Sequence, residues 1–441
     1  MIQLSDHFGY KKLLRFTLPS IIMLVFTSIY SVVDGFFVSN FVGKTPFTAV
    51  NFIMPFLMIL GAVGFMFGTG GSALISKTMG EGDQKKANEV FSLIIYVSIV
   101  CGIIMALLGI ILLRPIAIAL GAEGQLLEDS VTYGRIILLA IPAYVLQYEF
   151  QCLFATAAKS QLGLYVTIAA GCTNIVLDAL FVAVLRWGLE GAAAATALSQ
   201  CIGGLLPLLY FARPNTSLLR LTKTSFNGKM IAKTCTNGSS ELMSNISMSV
   251  VSMLYNAQLL KYAGQDGIAA YGVLMYINMI FQAVFLGFSV GAAPIIGYHY
   301  GAQNKKELKG LLKRGLIIIG VFSILMFAAA EMLAKPLSIL FVGYDQGLLE
   351  MTMRAFLLYS FSFLVSGFNI FGSSFFTALN DGLTSALISF MRTLVFQVLA
   401  VLILPLVLQL DGIWLSVVAA EIMAIFVTGC FLLIKRKKYH Y

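Results

Sequence analysis

The chain alternates between long apolar runs and short polar, basic stretches. With about 20 apolar residues taken as one membrane span, twelve helices are predicted, at about 13–38, 48–75, 91–113, 131–156, 162–186, 190–212, 234–259, 268–298, 311–333, 352–378, 384–408 and 411–434. Prolines inside these runs, among them Pro19, Pro142 and Pro405, mark expected kinks. Gly64 and Gly68, about one turn apart, allow helices to approach closely.

The pattern also repeats. A shift of 221 residues lays MGEGDQKKANEVFSL (79–93) on YGAQNKKELKGLLKR (300–314), LLRPIAIAL (112–120) on LAKPLSILF (333–341), FVGKTPFTAV (41–50) on YAGQDGIAAY (262–271) and LFATAAKS (153–160) on SFFTALND (374–381). Six spans separate equivalent positions, so both halves insert in the same sense, related by an axis along the membrane normal. The expected fold class is therefore an all-α integral membrane protein of 12 transmembrane helices in two parallel, pseudo-twofold-related six-helix lobes. The expected divisions are an N-terminal lobe at 1–212, a cytoplasmic linker at 213–233, a C-terminal lobe at 234–434 and a basic cytoplasmic tail at 435–441.

Composition agrees with a polytopic membrane protein. The 441 residues are 59% hydrophobic and 11% charged, against about 25% charged for soluble domains, and mean hydropathy is +0.91. The run Phe16 to Val38 follows 15 polar and basic residues, is too long for a signal-peptide core and has no small-residue cleavage site, so it should remain as the first span. The net charge of +9 is a matter of topology: 21 basic residues fall on the side of the N-terminus and 5 on the other. Both termini are thereby expected in the cytoplasm, with the chain in the cell membrane among its lipids and no nucleic-acid partner. The six cysteines are scattered, and His7, His299 and His440 all lie outside the apolar runs. That inventory suggests no disulfide framework, no metal centre and no histidine-based catalytic triad. The GTGGS cluster at 68–72 lacks the Lys-Ser/Thr and the preceding strand of a phosphate loop.

Candidate chemistry lies in the few ionisable residues within the spans. Asp34 is about 21 residues into the first helix and Asp178 about 16 into the fifth, both entering from the N-terminal side. At about 1.5 Å per residue both reach the far half of the bilayer, and Thr196 falls at a similar depth. Burying a carboxylate there costs at least about 2.5–3.5 kcal/mol, so such groups mark function more often than packing. Asn174 and Asp178 share a helix face, as do Tyr30 and Asp34. Two carboxylates with amide and hydroxyl neighbours make a proton or sodium site, the oxygens suiting a hard cation. Asn174, Thr196 and Tyr30 equally suit simple interhelical hydrogen bonding. The 221-residue shift carries Asp34 onto Tyr255 and Asp178 onto Leu399, so the second lobe is expected to lack both acids. Glu149, Glu421 and Arg392 also sit in spans and are expected to form a structural ion pair or to snorkel.

The segments FTLPS…YSVVDGFFV, MGEGDQKKA, GCTNIVLDALFV and GLEGAAAATALSQ, with the repeat, make essentially the whole chain resemble the multidrug and toxic compound extrusion (MATE) family. The resemblance is to the branch with its ion site in the N-terminal lobe, whose coupling network would map onto Tyr30, Asp34, Asn174, Asp178 and Thr196. It implies a monomeric secondary transporter without cofactor, exporting lipophilic, mostly cationic small molecules by alternating access, driven by inward H⁺ or Na⁺. A sodium ion would use Asp34, Asn174, Asp178 and Thr196. Glu241 resembles the first acid of the other branch but has no second acid in the eighth span, and could attract a cationic substrate alongside Asp34. A lipid-linked precursor flippase of the same superfamily would be expected to line its cleft with arginines, and only Arg135, Arg354 and Arg392 approach the spans. A membrane-embedded enzyme would need a nucleophile–base pair or a metal cluster that this inventory does not supply.

Overall fold

The computed structural model describes residues 3–441, and every regular element among them is helical. Helices α1 (Tyr10–Val42), α2 (Thr45–Gly80), α3 (Gln84–Ala119), α5 (Ser160–Val184), α6 (Gly188–Ala212) and α9 (Lys305–Val342) each cross in one piece. Helix α4 is a bent pair, Gly124–Leu139 and Ile141–Thr156, meeting at 60°, and α10 is another, Gln346–Ser360 and Phe363–Ala378, meeting at 49°. The remaining four spans are the arms of two long helices. Helices α7 and α8 lie within Gly228–Gly301 and α11 and α12 within Gly382–Tyr439, broken at Gly264 and Gln409, where the backbone leaves the helical region. The twelve spans among the described residues form two lobes, α1–α6 and α7–α12, as the repeat predicts.

The repeat extends to single backbone angles. Left-handed φ values occur at Gly43 (120°) and Gly264 (65°), at Gly82 (87°) and Gln303 (55°), and at Gly188 (62°) and Gln409 (51°), each pair 221 positions apart. At two of the three the second lobe places a glutamine where the first has glycine, accepting a conformation that a Cβ disfavours. The caps recur too. Asp83 accepts a hydrogen bond from the Lys86 N–H at the start of α3, and Asn304, its counterpart, accepts one from Glu307 at the start of α9. This capping explains why the helices overrun the apolar runs at the N-terminal face, leaving connections of only 81–83 and 302–304. Asn227 similarly caps the helix from Gly228, so only 213–227 of the stretch between the lobes is non-helical.

The lobes meet through backbone-to-backbone approaches that glycine makes possible. A Cβ on Gly80 would stand 2.0 Å from the Tyr298 carbonyl oxygen, and one on Gly301 would stand 2.0 Å from that of Lys77. Gly80 and Gly301, and likewise Lys77 and Tyr298, are 221 apart, so these are one contact made twice about the pseudo-twofold axis. Gly70 against Gly238 and Gly291 against Thr17 form a second reciprocal pair. Close approach of this kind is how membrane helices gain packing energy without a hydrophobic driving force between them.

Candidate functional site

Both acids stand beside irregular turns. Asp34 precedes a widened, π-type turn at Val38–Val42, and Asp178 immediately precedes another at Ala179–Val184. Such turns displace a helix face locally and concentrate at functional sites. They leave Asp34 9% and Asp178 0% exposed, with Asn174 at 1%. The Thr196 hydroxyl donates to Asp34 Oδ1 at 3.3 Å. Asp178 and Asn174 are neighbours of the same carboxyl group in this buried space. No fixed donor lies between the two acids, so both Asp178 oxygens and Asn174 Oδ1 lack a partner among the described residues. No lysine or arginine pairs with either acid there. Two buried carboxyl groups in that arrangement need a proton or a cation between them.

Four of the five expected coupling residues thus meet at one point. The fifth, Tyr30, lies a turn away on α1, where its hydroxyl accepts from Gln147 Nε2 at 3.3 Å and its ring packs over Gly171. The 60° bend in α4 aims Gln147, and also Gln151 Nε2, which donates to Thr27 Oγ1 at 3.4 Å. Tyr133 was not among the expected residues. It is 1% exposed and lies in the field of both carboxylates. The signal that could have found it is depth, the same one that picks out Thr196.

Glu241 is elsewhere. It lines a separate cavity of about 10 Å³ between the lobes, with Thr69, Ser72, Cys152, Ser374 and Thr377 among its neighbours. Glu149 is fully buried, and neither of its oxygens has a partner among the described residues. Glu421 and Arg392 do form a pair: Arg392 Nε donates to Glu421 Oε1 at 2.9 Å and Oε2 at 3.0 Å, and Asn369 Nδ2 donates to Oε2 at 2.8 Å. Arg354 instead pairs with Asp411 and is 68% exposed at the side chain.

The expected equivalence at Leu399 needs correction. Leu399 is 45% exposed and does not face the lobe interior. A π-type turn at Met391–Val395 precedes it on α11, whereas the turn on α5 follows Asp178, so the helix register differs at this depth. At the position matching Asp34, the Tyr255 hydroxyl donates to Gln397 Oε1 of α11 at 2.8 Å, a neutral hydrogen bond.

The MatE family profile matches residues 19–180 and 242–403, one copy in each lobe. The chain belongs to the MatE family. It is a membrane transporter and not an enzyme. Among its relatives, the multidrug export proteins MepA of Staphylococcus haemolyticus and Staphylococcus aureus are 27% and 26% identical over 371 residues, covering 81% of this chain and 80% of each relative. Among solved structures, a MATE transporter in complex with MaL6 superposes with a TM-score of 0.93 at 22% identity, covering 98% of both chains. A MOP superfamily transporter from Pyrococcus furiosus, described as having a binding pocket of reverse polarity, superposes at 0.91 with 21% identity, covering 99% of this chain and 98% of its own. These likenesses establish the fold.

Proposed function

We propose that this chain is a cation-coupled antiporter that exports lipophilic, mostly cationic compounds across the cell membrane by alternating access of its two lobes. The observation that carries the reading is the buried contact of Asp34 with Asp178, closed by Asn174 and Thr196 and without a basic partner among the described residues. Two buried carboxyl groups side by side without a basic partner hold a proton readily, which makes H⁺ the first choice of coupling ion. Unpartnered oxygens on Asp178 and Asn174 support Na⁺ as the second, since with Asp34 and Thr196 they would form an all-oxygen shell. The MepA relatives, named as multidrug export proteins, support the substrate class. A cationic drug and the coupling ion would compete for the same negative charge, so binding one releases the other.

The basic residues support cytoplasmic termini, 21 lying on that side against 5 on the other. An impermeant thiol reagent should label a cysteine at Ser225 only from the cytoplasm and one at Gln125 only from outside. The test of coupling is efflux of an ethidium-like dye from proteoliposomes under an imposed pH gradient and then under an imposed sodium gradient. Export driven by either supports the reading. Export driven by neither, or movement of lipid-linked substrates alone, contradicts it.

A further inference from the structure

Arg392 stands well within the span of α11 with its side chain 16% exposed, whereas Arg314, 14% exposed, lies at the N-terminal face and is paired with Glu307. Arg392 is in the π-type turn of α11, the only such turn in the second lobe among the described residues, whereas the two in the first lobe flank Asp34 and Asp178. Its Nε alone is engaged, by Glu421, whose carboxylate is further held by Asn369. That contact fixes the guanidinium plane and leaves the two terminal nitrogens unpartnered among the described residues and not sealed from access. A planar, oriented pair of N–H donors is the geometry that binds a carboxylate by two parallel hydrogen bonds.

The surroundings extend the site toward the lobe interface. Arg392 acts on the charge of Glu241. A run of hydroxyls, Thr377 to Ser385 at 2.7 Å, Ser385 to Ser373 at 2.8 Å and Ser373 to Ser389 at 3.0 Å, leads from the Glu241 cavity to the turn just before Arg392. A site made only to hold the lobe together has no need of an open guanidinium edge continuous with a hydroxyl track.

We propose that Arg392 docks a carboxylate carried by the transported compound, so that the second lobe receives the anionic end of zwitterionic amphiphiles. Charge balance sets the class. Glu421 already neutralises Arg392, so a simple anion would bring uncompensated negative charge into a buried site, whereas a ligand with its own ammonium, placed toward Glu241, would not. The inference rests on reading the chain as an exporter of amphiphiles. Binding is measured without a gradient, so failure of coupling and failure of carboxylate recognition remain distinguishable.

The experiment is equilibrium binding to the purified full chain of an aromatic amine bearing a carboxylate and, separately, of its methyl ester. Wild type should bind the acid about 10- to 100-fold more tightly than the ester, the range expected for a charged bidentate contact. The double substitution Arg392→Gln with Glu421→Gln removes both charges together and avoids stranding one. It should erase that preference while leaving ester binding within about twofold, and Arg392→Lys, which keeps the charge without the fork, should fall between. No acid preference in wild type, or equal loss of acid and ester in the double variant, overturns the proposal. Should the double variant fail to fold, Arg392→Lys decides: an unchanged acid preference is equally contrary.

Discussion

The two lobes share a backbone and differ in chemistry. Three pairs of left-handed residues, two N-caps and two reciprocal glycine contacts recur at a spacing of 221, including Gly43 with Gly264 and Asp83 with Asn304. Yet where α1 and α5 bring Asp34 and Asp178 together, α7 and α11 join Tyr255 to Gln397. Where the first lobe has Gly171 packed under Tyr30, the shift places Arg392. Helix packing fixes the lobe contact, because a Cβ on Gly70, Gly80 or Gly301 would run into a carbonyl oxygen of the other lobe. Chemistry is confined to a few interior side chains that the backbone tolerates changing. Duplication therefore leaves each lobe free to take one charge task, an uncompensated acidic pair in the first and a neutralised arginine in the second.

The largest effect expected from breaking this contrast is at the acids. Asp34→Asn and Asp178→Asn should each reduce gradient-driven dye efflux from proteoliposomes to the rate of empty vesicles, since an amide keeps the shape and loses the proton chemistry. Tyr255→Phe and Gln397→Leu should leave the ratio of dye moved to ion moved unchanged. Gln397→Leu strands the buried Tyr255 hydroxyl and should cost about 1–3 kcal/mol of stability, seen as a lower melting temperature, while Tyr255→Phe strands only the half-buried Gln397 and should cost less.

The shared part gives the next effect. Gly80→Ala and Gly301→Ala place the same 2.0 Å clash at symmetric positions. Overpacking of this kind costs about 1–3 kcal/mol, which corresponds to roughly 5- to 150-fold in the population of the packed state. Both should slow export by similar factors. A loss confined to one of them would show that the pseudo-twofold contact is not used equally.

Most of the fold was legible in the sequence, because the length of a span and the spacing of the repeat are one-dimensional. Asp34, Asp178, Asn174 and Thr196 were legible for the same reason, since depth can be counted along a helix. Leu399 was not, because a π-type turn at Met391–Val395 shifts the register by an amount that no hydropathy pattern records. Tyr133 can be placed by depth as Thr196 can, but depth alone does not single out a tyrosine in a span, which is ordinary until a carboxylate is found near it. The bend at Ala140 was marked by Pro142, whereas its counterpart at Phe361 has no proline beside it and reads as one apolar run.

The smallest expected effect concerns an asymmetric clasp at the N-terminal face. Glu307, ahead of the apolar part of α9, accepts from the Phe8 N–H at 3.0 Å and from Arg314 at 2.7 Å, and contacts His7 at 2.6 Å. Its counterpart in the first lobe is Lys86. Burial pushes the Glu307 carboxyl upward, but the Phe8 N–H, His7 and Arg314 outweigh it and hold the group below its ordinary value. A depressed carboxyl stabilises the fold above its unfolded value, near about 4.3, and that contribution disappears as pH falls through the folded one. Thermal unfolding across pH 3 to 7 should show this loss in wild type and a shallower dependence in Glu307→Gln.

Competition between drug and proton for the first-lobe acids is tested most directly by proton release on drug binding. Titrating an ethidium-like dye into the purified chain in weakly buffered solution, with a pH indicator as readout, should release protons in wild type. The dye should bind more tightly as pH rises, because proton and cation compete for the same charge. The double variant Asp34→Asn, Asp178→Asn should release none. Proton release that persists in that variant would contradict the account and move the coupling site away from the first lobe.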